Sequence, residues 1–174
     1  MNSILPTFFL SFFLAANSSL TGRDPNVILI LADDMGPGEP SHMGGLVPTP
    51  ALDRMAKEGM RFTDAHTTSS VCTPTRYGIL TGRYNWRSRL KRGVLVKASS
   101  QALMDPNRVN LPNFLQQNGY HTGIVGKWHL GADWELLENP PAGPDRKDDS
   151  WRVDYSKPFR NGPVDVGFDE AFFI

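Results

Sequence analysis

The rhythm of apolar and polar positions changes several times along the chain, and each change marks an element. Residues 26–32 form an unbroken apolar run, Asn-Val-Ile-Leu-Ile-Leu-Ala, closed by Asp33, Asp34 and Gly36. Such a run followed by turn residues predicts a strand buried on both faces of a parallel sheet. Residues 37–50, rich in Gly and Pro, read as a connection. Thr49-Pro50 then opens a helix with Leu52, Met55 and Ala56 on one face, stopped by Gly59; Leu52 and Met55 read as core. Residues 60–67 predict the next strand, with His66 near its end. Thr73 as cap, Pro74 in the first turn and Gly82 just past the end predict a second helix. A short third helix follows over residues 110–119, capped by Asn110, with Leu111, Phe114 and Leu115 on its apolar face and Gly119 as its stop. Residues 122–125 predict a second buried strand, and residues 167–174 open another. Strands alternating with short helices give an α/β class, and an end on Phe172-Phe173-Ile174 reads as an element cut short.

Composition narrows the picture. A chain of 174 residues, 40% of them apolar and 14 of them proline, suits one loop-rich globular domain. Eighteen basic and 18 acidic side chains cancel, so no global field draws nucleic acid. A single cysteine allows no internal disulfide. Residues 4–16 are mostly apolar and are followed by the small residues Ser18 and Ser19, although no Lys or Arg precedes Arg23. The run is too short for a membrane span and resembles a secretory signal over residues 1–19, which predicts an exported protein.

The candidate chemistry sits at the ends of these elements. Cys72 stands in front of a helix N-terminus, where unpaired N–H groups and the positive end of the dipole favour an anion. Arg76 lies one turn further on, on the same face. A buried, inert thiol is the plain alternative. Asp33 and Asp34 follow the carboxyl end of a strand, where open α/β sheets place their sites; they form either a polar turn or a pair of oxygen ligands for a hard cation. Lys127 and His129 emerge past the second strand, two apart, so in extended chain they share a side and would suit an anion and a proton transfer. A Lys-x-His pair by itself usually means nothing. Arg83, Tyr84, Trp86, Arg87, Arg89, Lys91 and Arg92 make a basic, aromatic segment, either a rim for a polyanion or a solvated loop. Residues 134–164 are rich in Pro, Gly and charge, and the run from Asp145 to Asp149 reads as solvated.

Two motifs join these pieces. Cys72-Thr73-Pro74-Thr75-Arg76, followed at a fixed distance by Thr81-Gly82, resembles the modification signature of the sulfatase family, with Thr75 where serine is more usual. Gly119-Tyr120-His121-Thr122, continuing to Gly126-Lys127-Trp128-His129, resembles the second signature of that family. The resemblance covers residues 26–174 and implies an alkaline-phosphatase-like α/β fold: a central, largely parallel sheet flanked by helices, incomplete at its C-terminal end. It implies a sulfuric ester hydrolase in which Cys72 is oxidised by a formylglycine-generating enzyme to Cα-formylglycine. A divalent cation, calcium or else magnesium, would be held by Asp33, Asp34 and the modified Cys72. Arg76 would hold the formylglycine, Lys127 would bind sulfate, and His129 would be the base that releases it. The substrate would be a sulfate ester, with a sulfated polysaccharide favoured by the basic rim, and no nucleic-acid partner is expected. The family's remaining metal ligands, its leaving-group acid and a second lysine match no residue here, so the chain alone is expected to have little activity. The same resemblance also admits a phosphonate or phosphodiester hydrolase, or an inactive fragment.

Overall fold

The computed structural model describes residues 24–143 and 149–174; residues 1–19, read above as a signal, and the charges at 145–148 lie outside them. The chain divides into two units, Met1–Met35 and Gly36–Ile174.

In the first unit, residues 24–32 belong to no sheet, and Ile28 is 83% exposed. The strand expected over residues 26–32 is therefore not formed among the described residues. A run that is apolar on both faces becomes a strand only when neighbours supply a hydrogen-bond ladder on its edges and cover on its faces. Among the described residues neither is supplied. Residues 60–67 likewise form no strand.

Among its described residues the second unit carries three α-helices and one two-stranded parallel sheet: α1 (Pro50–Glu58), α2 (Cys72–Thr81), α3 (Leu111–Gln117), β1 (Gly123–Gly126) and β2 (Glu170–Phe173). Helix α1 has Pro50 at its first turn and is tied to the 3-10 turn Ser41–Met43 through Asp53. The Asp53 carboxylate accepts from Ser41 Oγ at 2.6 Å, from Thr49 Oγ1 at 3.1 Å and from the His42 backbone N–H at 3.0 Å. These bonds, led by that of Ser41, hold its carboxyl below the usual carboxylate range. The expected core face of α1 is not core: the helix has no buried residue and Met55 is 58% exposed, because among the described residues α1 meets no other α-helix and no strand. Helix α3 is capped as its sequence predicts, Asn110 Oδ1 accepting from the Asn113 N–H at 3.0 Å.

Strands β1 and β2 pair in the register Gly123↔Glu170 to Gly126↔Phe173. Their side chains alternate, Ile124 and Phe173 turning toward a core of Tyr77, Leu95, Leu103, Met104, Trp128, Leu130 and Val166. Val125 and Phe172 lie on the exposed face. Asp169 fixes the entry to both strands. Its carboxylate accepts from Thr122 N at 2.7 Å, Thr122 Oγ1 at 2.9 Å and Gln116 Nε2 at 2.6 Å, joining α3, β1 and β2.

The long connection from β1 to β2 doubles back on itself. Antiparallel bridges pair Asp133 with Arg160 and Leu136 with Val153. Asp149, expected in a solvated charge run, is buried at 5% exposure. Burial alone would raise its pKa, but the Ser99 hydroxyl and N–H donate to the carboxylate and bring it below the usual value.

Candidate active site

Helix α2 begins two residues before its expected start, so Cys72 is its first helical residue and the extended Val71 is its N-cap. The thiol is partly buried and free. Thr73, expected to cap, instead turns its Oγ1 away to accept the Leu95 N–H at 3.3 Å. The loop before the helix is clipped onto the first turn by two hydroxyls: Thr75 Oγ1 donates to Ser69 O at 2.7 Å and Thr68 Oγ1 to Pro74 O at 3.1 Å. Thr75, the one departure from the family pattern, thus makes a bond that serine would also make. The chain closes in tightly behind the helix. A Cβ on Gly78 would stand 2.4 Å from Thr68 Oγ1, so only glycine fits there. Gly82, left-handed at φ 63°, ends the helix with its N–H on Gly78 O.

Arg76 reaches across to the carboxyl end of β1, its Nη1 donating to Lys127 O at 2.6 Å. This bond joins the two motifs through side chain and backbone. Lys127 directly follows β1, and Trp128, 4% exposed, is packed in the core with Nε1 on Gly131 O at 2.8 Å. The backbone is not extended here. Gly126 and His129 have φ 105° and 53°, so Lys127 and His129 are directed by a turn anchored on Trp128 and not by strand alternation.

His129 Nε2 lies 2.6 Å from Leu95 O. A carbonyl only accepts, so the ring proton belongs on Nε2 and Nδ1 keeps a lone pair. Nδ1 is buried and meets no partner among the described residues. Through Leu95, His129 is thus two hydrogen bonds from Thr73, the neighbour of Cys72. Sequence reasoning had no means of finding Leu95, since a backbone carbonyl leaves no mark in residue type. His66 stands apart, its side chain 81% exposed and Nε2 2.7 Å from Asp64 Oδ1.

Arg76, Lys127 and His129 are therefore tied by hydrogen bonds to α2 or to its partner Leu95 within the second unit, and Cys72 heads α2 beside Thr73. Asp33 and Asp34 lie in the first unit. Asp34 has φ 58°, which takes the two carboxylates out of the strict alternation of extended chain, as adjacent ligands of one cation require. Among the described residues no three His, Cys, Asp or Glu side chains gather as a metal site.

The family model described as Sulfatase matches residues 25–159. The chain belongs to the sulfatase family. It is 37% identical over 153 residues to the N-acetylgalactosamine-6-O-sulfatase of Bacteroides thetaiotaomicron, an alignment covering 87% of this chain and 27% of that protein. It is 46% identical over 111 residues to human arylsulfatase G, covering 63% and 21%. A structure from work on glycosaminoglycan metabolism by B. thetaiotaomicron superposes with a TM-score of 0.72 at 36% identity, over 88% of this chain and 28% of that one. The fold is thus the α/β, alkaline-phosphatase-like fold of these sulfatases, of which β1 and β2 supply a parallel pair. The chain spans about a quarter of the length of these relatives.

Proposed function

We propose that residues 24–174 are the N-terminal part of a sulfatase catalytic domain and carry the nucleophile and base of a sulfuric ester hydrolase acting on sulfated glycans. The observation that supports this best is the network joining α2 to the end of β1: Arg76 on Lys127, and His129 on Leu95 with Leu95 on Thr73. It gathers the residues of two motifs about 50 positions apart around one helix N-terminus.

Cys72, as Cα-formylglycine, occupies the first residue of α2. The hydrated aldehyde supplies two hydroxyls on one carbon, so that one takes the sulfuryl group and the other, once deprotonated, expels it. As the family resemblance implies, Asp33, Asp34 and the residue-72 diol would offer oxygen donors only, which suit calcium or magnesium, and a cation so held would favour ionisation of the diol. Arg76 and Lys127 place positive charge where the sulfate sits and offset the charge that develops in transfer. His129 accepts the departing proton at Nδ1, the nitrogen that its Leu95 contact leaves basic. Export follows from the signal-like residues 1–19. The remaining ligands and the leaving-group acid of the family match none of these 174 residues, so turnover by this chain alone should be slight.

Co-expression with a formylglycine-generating enzyme tests the reading. The tryptic peptide spanning position 72 should lose about 18 Da relative to cysteine, and an unmodified peptide overturns the reading. Where turnover is measurable, faster release from a phosphonate or phosphodiester than from an aryl sulfate would move the chain to the other hydrolase class.

A further inference from the structure

The basic, aromatic segment after α2 has no part in the chemistry above, yet it is built more firmly than a solvated loop needs. Between Asp64 and Asp105 the chain carries seven Lys and Arg and no Asp or Glu, although its net charge is zero. Asn85 is buried and its Nδ2 donates to Leu90 O at 3.0 Å. Ser88 Oγ donates to Asn85 O at 2.6 Å and accepts the Leu90 N–H at 3.1 Å, and Lys91 Nζ donates to Trp86 O at 2.8 Å. On this stapled turn the Tyr84 and Trp86 rings stack 5.5 Å apart at 14°, each more than half exposed. The Arg87 guanidinium stands 5.7 Å from the Trp86 ring centre. Arg83, Arg87 and Arg92 are exposed, and among the described residues none has a carboxylate partner.

The segment also leads to the site. It leaves α2 at Gly82 and returns to Leu95, which bonds to Thr73 and orients His129. It therefore spans the ten-residue length of α2, about 15 Å, the reach of a short oligosaccharide.

We propose that Arg83, Tyr84, Trp86 and Arg87 form an accessory binding site for a sulfated glycan, holding sugar units remote from the one whose ester reaches residue 72. The proposal rests on the sulfatase reading. Aromatic faces carry negative charge and attract the weakly positive C–H groups of a pyranose face. Guanidinium forks match the oxygens of a sulfate group. Because the turn is already fixed, little ordering is needed on binding. Single-stranded nucleic acid would meet the same residue types, but a polymer that runs on past Leu95 to a sulfuryl-transfer site must bear sulfate esters.

Calorimetry on the full 174-residue chain, at one salt concentration, tests this with three probes: a chondroitin 6-sulfate hexasaccharide, the unsulfated hexasaccharide and a DNA oligomer of matching charge. The sulfated probe should bind about tenfold tighter than either of the others. Trp86→Ala, and the double substitution Arg83→Gln with Arg87→Gln, should each weaken it about tenfold or more. The arginines are exposed, so the double variant keeps its fold, checked by circular dichroism, even if Trp86→Ala does not. Unchanged affinity in the double variant overturns the proposal, as does DNA binding of equal strength lost with the same substitutions. The mass of the position-72 peptide is an independent readout. Aldehyde formation without glycan binding sinks the accessory site alone, and glycan binding without aldehyde formation sinks the sulfatase reading alone.

Discussion

Helices α1 and α2 differ by one residue in length and are opposites in construction. Helix α1 obeys the amphipathic rule, with Leu52, Met55 and Ala56 on one face, and none of its residues is buried. Helix α2 has no clear apolar stripe, yet Thr73, Pro74, Thr75, Tyr77 and Gly78 are all buried. Its burial is carried by hydroxyls with assigned partners, by a glycine that lets Thr68 approach, and by one aromatic ring in the core. Hydrophobic periodicity thus identifies a helix that could be covered. Hydrogen-bond satisfaction and close approach identify the one that is.

Substitutions can break this contrast, and the largest effect should come from Tyr77→Ala. It removes a ring that is part of the main core and should cost about 3–5 kcal/mol, read as a fall in the urea midpoint. Gly78→Ala should follow at about 1–3 kcal/mol, because the new methyl meets Thr68 Oγ1 and Cγ2. A net gain of about 1 kcal/mol, the usual helix benefit of alanine over glycine, would mean that the approach of Thr68 is not needed. Met55→Ser on α1 should change stability by no more than about 0.5 kcal/mol, since the side chain is already mostly in water. A larger loss would show that the α1 face is covered in solution.

Between these two lies a pH effect. The Thr122 N–H and hydroxyl, Gln116 and the nearby His121 hold the Asp169 carboxyl below its ordinary value of 3.8. A depressed native pKa adds stability that is complete above that ordinary value and is lost as pH falls through the native one. Thermal melts should therefore show an acid limb below about pH 4. Asp169→Asn should flatten that limb without abolishing it, because Asp53, Asp149 and Asp154 are also lowered. A limb unchanged in Asp169→Asn would remove Asp169 from the account of how β1 and β2 are held together.

The candidate site was legible wherever its signal lay in residue type at a fixed spacing. Cys72 with Arg76, and Lys127 with His129, could be marked from two short motifs, and α1, α2, α3, β1 and β2 fall within three residues of their expected positions. What failed were inferences that needed a neighbour. The apolar run at residues 26–32 has the composition of a buried strand and no ladder among the described residues. Asp149 sits in a charged tract, yet Ser99, 50 residues away, takes it out of solvent. The extended geometry assumed for Lys127 and His129 gave way to a turn, because Trp128 between them is claimed by the core.

Sequence by itself determined which groups are available for chemistry: one thiol, a guanidinium a turn later, an ammonium and an imidazole two apart, and a pair of adjacent carboxylates. Tertiary structure alone decided that Arg76 binds the carbonyl of Lys127 and that Leu95 sets the proton on His129 Nε2. The reason is physical. A side chain's acid–base and donor character is intrinsic to its covalent structure. The acceptor that fixes its direction is a backbone oxygen, the same in every residue, and only folding selects which one.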